Sequence, residues 1–162
     1  GTTWVVPYIT GFRMSFRRNV IAKTGFDETL RKYGWFEDID ASWCALQHGI
    51  LVGSDKARIY HHRVAAARAG GHRMGLWAIL NRGYIVMKHV HANPKVFPKP
   101  SRETLRLGLY CRARAMAYRL MARDTFGKDR AKGAADGLVA LPKLTAASAK
   151  DLPGIYSSLE AD

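Results

Sequence analysis

The chain is predicted to be α/β, with a few strands in its N-terminal third and a mainly helical remainder. Three observations lead there. β-branched and aromatic residues gather in short runs at 4–9, 50–52 and 57–60, set off by Gly, Pro and Asp. From Met74 onward, apolar residues recur at helical spacing. The 162 residues are 48% hydrophobic and 24% charged, the balance of a domain with a real core.

Each element has a local reason. Trp4 to Ile9 is β-rich but interrupted by Pro7. Asn19 to Lys23 suits a short helix that Gly25 ends. Glu37 to His48 suits a helix stopped by Gly49, with Ile39, Trp43, Ala45 and Leu46 on its buried side and acids at its start. Ile50-Leu51-Val52 and Ala57 to Tyr60 are expected to be strands flanking a turn at Gly53-Ser54-Asp55. A helix over about 74–90 carries Leu76, Ile79, Leu80, Val86, Met87 and Val90 on one face. Asn93-Pro94 and Pro98-Lys99-Pro100 break it into a linker.

Ser101 is a candidate cap for the next helix, running to about Arg123. Leu105, Leu109, Ala113, Met116 and Leu120 stripe that helix, flanked by Arg106, Arg112 and Arg119. Asp129 to Leu141 suits a fourth helix, and the tail after Pro142 is expected to fray. The boundaries drawn from this are 1–92, a linker at 93–100, and a basic helical extension at 101–162.

Charge is unevenly placed. Of the net +13, Lys56 to Arg123 holds 15 Lys or Arg against one acid, Glu103. Such a block seeks an anionic partner: phosphate groups, lipid head groups or nucleic acid. Trp77, Tyr84, Tyr110 and Tyr118 are interleaved with it, as in nucleic-acid binders. No helix-turn-helix, zinc-finger or RNP signature accompanies them, so an anionic membrane surface is the favoured partner. No run of about 18 apolar residues predicts a membrane span, and the N-terminus does not resemble a signal peptide. Cys44 and Cys111 match no metal-ligand spacing and are expected to be reduced thiols of a cytosolic protein.

The motifs that carry chemistry lie between residues 10 and 62. Thr10-Gly11-Phe12-Arg13-Met14-Ser15-Phe16-Arg17-Arg18 is followed by Gly25-Phe26-Asp27-Glu28, then by Glu37-Asp38-Ile39-Asp40, then by His61-His62. In that order, over roughly residues 4 to 90, they resemble the acceptor half of a family 2 inverting glycosyltransferase of the GT-A kind. The resemblance implies a partial GT-A-like fold. It implies transfer of a sugar from a nucleotide diphosphate sugar to a glycan or lipid-linked glycan acceptor, aided by Mg²⁺ or Mn²⁺. The protein would then sit in the cytoplasm, peripheral at the inner membrane face.

An inverting transfer needs one ionised carboxylate on a rigid element to take the acceptor hydroxyl's proton. The resemblance gives that role to Asp38 and an orienting role to Glu37. Asp40 lies about 200° round an ideal helix from Asp38 and cannot share its position. Gly11 would line the sugar pocket, where its missing side chain lets a ligand approach, or it is an ordinary turn glycine. Arg17 is a candidate for the diphosphate, since its fork matches phosphate oxygens. Trp35 either stacks on a sugar ring or packs in the core. One of His62 or His61 would contact the metal or diphosphate, because adjacent strand residues face opposite ways. Phe26 is expected to pack, and Asp27 and Glu28 to make local hydrogen bonds. A nucleotide-binding βαβ half with an Asp-x-Asp metal motif does not precede Trp4. The expectation is therefore of a C-terminal piece whose donor-binding half is supplied elsewhere. The alternative is a non-enzymatic basic module that binds nucleic acid or anionic membrane.

Overall fold

The computed structural model describes residues 1–30, 35–60 and 69–161. The chain divides into two compact units, Gly1–Ala67 and Arg68–Asp162. The division falls ahead of the boundary expected at 92/93, so the long helix after residue 70 belongs with the C-terminal helices. The segment at 93–100, expected to be a linker, is a packed turn: Asn93 is 1% and Phe97 7% exposed.

In the first unit, strand β1 (Thr3–Val6) pairs antiparallel with β2 (Leu51–Ser54), with Trp4 opposite Gly53 and Val5 opposite Val52. Pro7 ends β1, because it has no N–H to continue the ladder. The GT-A-like sheet is not seen. Among the described residues the only sheet is this two-stranded ribbon. The strand expected at 57–60 is irregular, and Tyr60 is 95% exposed, so no buried face holds it extended. Helix α1 (Arg18–Thr24) ends as expected at Gly25, whose φ of 61° is a left-handed turn that glycine adopts without strain. Helix α2 (Glu37–Ala45) starts at the expected residue and buries Ile39, Trp43 and Ala45. It stops short of Gly49, at a turn over Leu46–His48.

The second unit is all helix among its described residues. Helix α3 (Gly71–Ala92) is its centre. The single apolar face expected for α3 is too narrow a description: from Trp77 to Met87 every residue except Arg82 is buried. The reason is packing on several sides, by α4 (Pro100–Leu120), α5 (Thr125–Thr145) and α6 (Leu152–Ala161). α4 starts with Pro100 and has no side-chain cap, so Ser101 does not play that role. α5 is capped by Asp124, whose side chain accepts the Gly127 N–H at 2.6 Å. The tail expected to fray forms α6. Its Tyr156 is fully buried, donates to Asn81 Oδ1 at 2.8 Å and lies 4.6 Å from the Tyr84 ring.

Helices α3 and α5 touch through glycine. A Cβ on Gly75 would stand 1.9 Å from the Arg130 carbonyl oxygen, and one on Gly133 would stand 1.9 Å from that of His72. A Cβ on Gly137 would meet Ile79 at 2.8 Å, and one on Gly83 would meet Leu141 at 2.7 Å. These pairs climb together along both helices, so α3 and α5 run in the same direction and α4 is the return between them. His72 and Asp136 close the start of the pair with a contact of 2.7 Å.

Candidate functional site

The first unit gathers part of the expected site. After Pro7 the chain runs extended beside α2, with Thr10 at φ −92°, ψ 140°. The Ile9 N–H donates to Ser42 Oγ at 3.0 Å, and the Gly11 N–H donates to Asp38 Oδ2 at 3.0 Å. This register is geometric. Two residues of extended chain cover about 6.6 Å, and four residues of helix cover about 6 Å. Alternate N–H groups of the strand-like segment therefore meet i and i+4 of the helix. Ser42, fully buried, also donates to the Asp38 carbonyl at 2.6 Å. Nothing in the sequence motifs singled out Ser42. Its four-residue spacing from Asp38 is the signal that was there.

Asp38 is half-buried, and its other oxygen accepts the Ile39 N–H at 2.8 Å. Each carboxylate oxygen thus holds one backbone donor, and each oxygen has a second lone pair. Glu37 beside it is exposed at the surface. Partial loss of its water, and then the neighbouring Asp38 charge, raise its pKa above the usual 4.5. Asp40 is 2% exposed and lies on the inner side of α2, as its position on the helix requires. Gly11 meets Asp38 without crowding: a Cβ there would be 3.6 Å from Asp38 Cβ, an ordinary contact. Close approach to α2 therefore does not demand glycine.

The other expected residues spread out. Trp35 is half-buried and stacks on Phe36, with ring centroids 5.5 Å apart and planes 11° apart. Phe36 is the left-handed residue that turns the chain into α2, with φ of 77°. Arg17 is exposed. Phe26 is 49% exposed, against the expectation that it packs, while Asp27 does make a local bond, accepting the Thr29 N–H at 2.9 Å. His61 and His62 lie outside the described residues.

A site for Mg²⁺ or Mn²⁺ needs several hard oxygens that converge. The acids of α2 do not supply it. Each Asp38 oxygen accepts one backbone N–H and keeps one lone pair, and Asp40 lies on the inner side of α2, so the two carboxylates do not converge. The acids of α2 thus do not fit the cation that the family resemblance implies, and no step is assigned to it. Both cysteines are free thiols, and burial pushes the Cys111 thiol up to about 11 despite the nearby Arg82 and Arg114 charges.

Comparison with protein-family models, with curated proteins and with solved structures found no match to this chain.

Proposed function

We propose that this chain is the acceptor-side part of an inverting glycosyltransferase, with Asp38 as the base. The Gly11 N–H to Asp38 bond carries the reading. It joins two residues chosen independently from the motifs and holds the carboxylate still at the first turn of a helix. Asp38 then offers its second lone pairs to an acceptor hydroxyl and takes that proton as the oxygen attacks the anomeric carbon, the bond from that carbon to the diphosphate breaks and the nucleoside diphosphate leaves, and Asp38 keeps its position throughout. Glu37, exposed beside it, orients the acceptor. The donor is a nucleotide diphosphate sugar held by a separate nucleotide-binding half, and the acceptor is a glycan or lipid-linked glycan in the cytoplasm at the inner membrane face.

The test is sugar transfer from a panel of nucleotide diphosphate sugars by the full-length enzyme. Asp38→Asn keeps an oxygen for the Gly11 N–H and removes the proton acceptor. Transfer should fall about 100-fold or more, with donor binding kept. Ser42→Ala is the control for a purely structural effect: it breaks the neighbouring tie, and transfer should stay within a few-fold. Near-normal turnover in Asp38→Asn, or equal losses in both variants, would remove Asp38 from the chemistry.

The second reading is a non-enzymatic module for anionic membrane, and the outer face of α4 favours it. Leu105, Leu109, Met116 and Leu120 are 64%, 57%, 54% and 78% exposed. The inward residues Leu107, Cys111 and Tyr118 lie about 180° round the helix from the middle of that stripe. Arg106, Arg112 and Arg119 border the stripe, with stems able to lie along lipid while their heads meet phosphate. Among the described residues no helix is long and apolar enough to cross a membrane. Vesicle sedimentation tests this reading: binding to anionic lipid that fades with salt supports it, and equal binding to neutral lipid or none at all removes it.

A further inference from the structure

A second feature of the helical unit is a groove between α4 and α5. Tyr110, Ala113, Arg114, Ala117, Tyr118 and Met121 line it from α4, and Arg130 lines it from α5; its volume is about 370 Å³ and it opens to solvent. No carboxylate is in the lining. Arg114 is aimed by two tyrosine hydroxyls: its Nε donates to Tyr118 at 2.9 Å and its Nη1 to Tyr110 at 3.1 Å. Arg130 approaches the same Tyr118 from the other helix. Its guanidinium carbon stands 4.4 Å from the ring centre, and that of Arg114 stands 5.2 Å from it. Arg82 of α3 sits 5.2 Å over the Tyr110 ring.

Two guanidinium groups thus share one aromatic ring, with a third over its neighbour. Cation–π contact stabilises each of them singly, but it does not offset their mutual repulsion. Among the described residues Arg130 has no ion-pair partner, and its buried Nε–H has no acceptor. A buried donor without an acceptor is a cost that a native structure seldom carries without a reason. A tetrahedral anion in the groove addresses the repulsion: it meets the terminal guanidinium nitrogens of Arg130 and Arg114, which line the groove, rather than the covered Nε–H.

We infer that this groove binds the phosphate group of a phosphate ester, with Arg114 and Arg130 clamping the phosphate. Arginine forks from two helices match a group with several oxygens and up to two negative charges better than they match a single carboxylate. The Tyr110 face, Ala113, Ala117 and Met121 accept the apolar part of the ester. Ala113 belongs also to the exposed stripe of α4, so a lipid head group and a free phosphate ester are both sterically open sources. The inference is independent of the sugar-transfer reading, whose test touches none of these residues.

The experiment follows the side-chain Nε–H resonance of Arg130 in the whole chain while inorganic phosphate is added against chloride of equal ionic strength. The resonance should shift and saturate. Arg130→Gln and Arg114→Gln should each weaken phosphate binding about tenfold or more, the size expected for a lost charge-assisted bond. Arg102→Gln removes an exposed charge from the same helix outside the groove and should change binding less than about twofold. A parallel arm uses vesicles of phosphatidylglycerol or phosphatidylcholine. Loss of phosphatidylglycerol binding in Arg130→Gln assigns the head group as the source, and competition by glycerol phosphate alone assigns the free ester. An unmoved Arg130 resonance would overturn the inference without needing any variant to fold. So would equal losses in Arg130→Gln and Arg102→Gln. Binding of single-stranded RNA that depends on Arg130, without response to phosphate or vesicles, would overturn it in favour of a nucleic-acid site.

Discussion

Gly75→Ala is the sharpest test of how the helical unit is held together. The added methyl would stand 1.9 Å from the Arg130 carbonyl oxygen, 2.7 Å from the Ala134 nitrogen and 2.9 Å from the Arg130 carbonyl carbon. All three are backbone atoms, so no side chain can swing aside. Helices α3 and α5 would have to part by more than about 1 Å at this point, and a gap of that size forfeits a quarter to a half of each dispersion contact along the seam. Overpacking of this kind costs about 1–3 kcal/mol, and more where nothing yields. Against it stands the helix preference of Ala over Gly, about 1 kcal/mol. The net loss should be about 2 kcal/mol, which for a helical unit of this size lowers the melting temperature by about 8–16 °C. Gly108→Ala on α4 is the matched control: nothing lies within 4 Å of its added methyl. There the same change should stabilise by about 0.5–1 kcal/mol, from propensity alone. Thermal and urea unfolding followed by circular dichroism measures both. Gly75→Ala matching or exceeding the stability of the wild type would refute the glycine contact between α3 and α5.

Other measurements check the rest of the structure. Calorimetry of this chain with uridine, guanosine and thymidine diphosphate sugars should show weak binding or none, and a micromolar dissociation constant would mean that the donor site lies here after all. Ser42→Ala strands the Ile9 N–H beside a buried helix face and should cost about 1–3 kcal/mol, whereas Gly11→Ala, with its nearest contact at 3.6 Å, should leave stability nearly unchanged. In a Cys44→Ser variant, the buried Cys111 thiol should resist aromatic disulfide reagents at pH 8 until the protein unfolds, since burial pushes it up to about 11; rapid native labelling would contradict its burial. Glu37 has a raised value when folded, so above the usual 4.5 the folded state holds the proton more tightly than the unfolded chain does. Stability contributed by that group is therefore lost as pH rises from there through the folded value, and Glu37→Gln should flatten the decline.

Where local rules decide, the sequence was a sound guide. Gly25 ends α1 because a left-handed turn was needed, and Glu37 opens α2 because acids suit a helix start. It misled where neighbours decide. The run at 57–60 has strand-forming residues, but with Tyr60 in solvent no surface rewards extension. The tail after Pro142 looked too small and polar to order. Yet Leu152 and Tyr156 bury against the unit, and Tyr156 donates to Asn81 on buried α3, so α6 is held. The glycines at 71 and 75, and at 133 and 137, repeat at four residues. That spacing marks a close helix crossing as clearly as an apolar stripe marks a looser one. In the candidate site, Asp38 was legible from its motif and its tie to Gly11 was not. A hydrogen bond across 27 residues depends on a register that only the fold creates.

Helix α4 shows why composition and function separate in this protein. Its apolar residues fall into two sets on opposite sides, and Arg106, Arg112 and Arg119 fall between them. The inward set, Leu107, Cys111 and Tyr118, is short, so little of α4 is held by burial. Tyrosine and arginine do part of that work instead. Arg114 bridges Tyr110 and Tyr118, each about one turn from it on α4 itself, and Arg130 brings α5 onto the Tyr118 ring. A helix docked by cations on aromatic faces keeps its charge at the surface, where a core of leucine would have hidden none. That arrangement leaves the outward leucines and the groove free for a ligand. It ties the strength of α4 docking to whatever anion the groove holds. Occupation of the groove by phosphate should therefore raise the thermal stability of the helical unit, by mass action on the folded state alone, and Arg130→Gln should abolish that gain, its unliganded unit still folded but with a lower melting temperature from the lost Tyr118 contact.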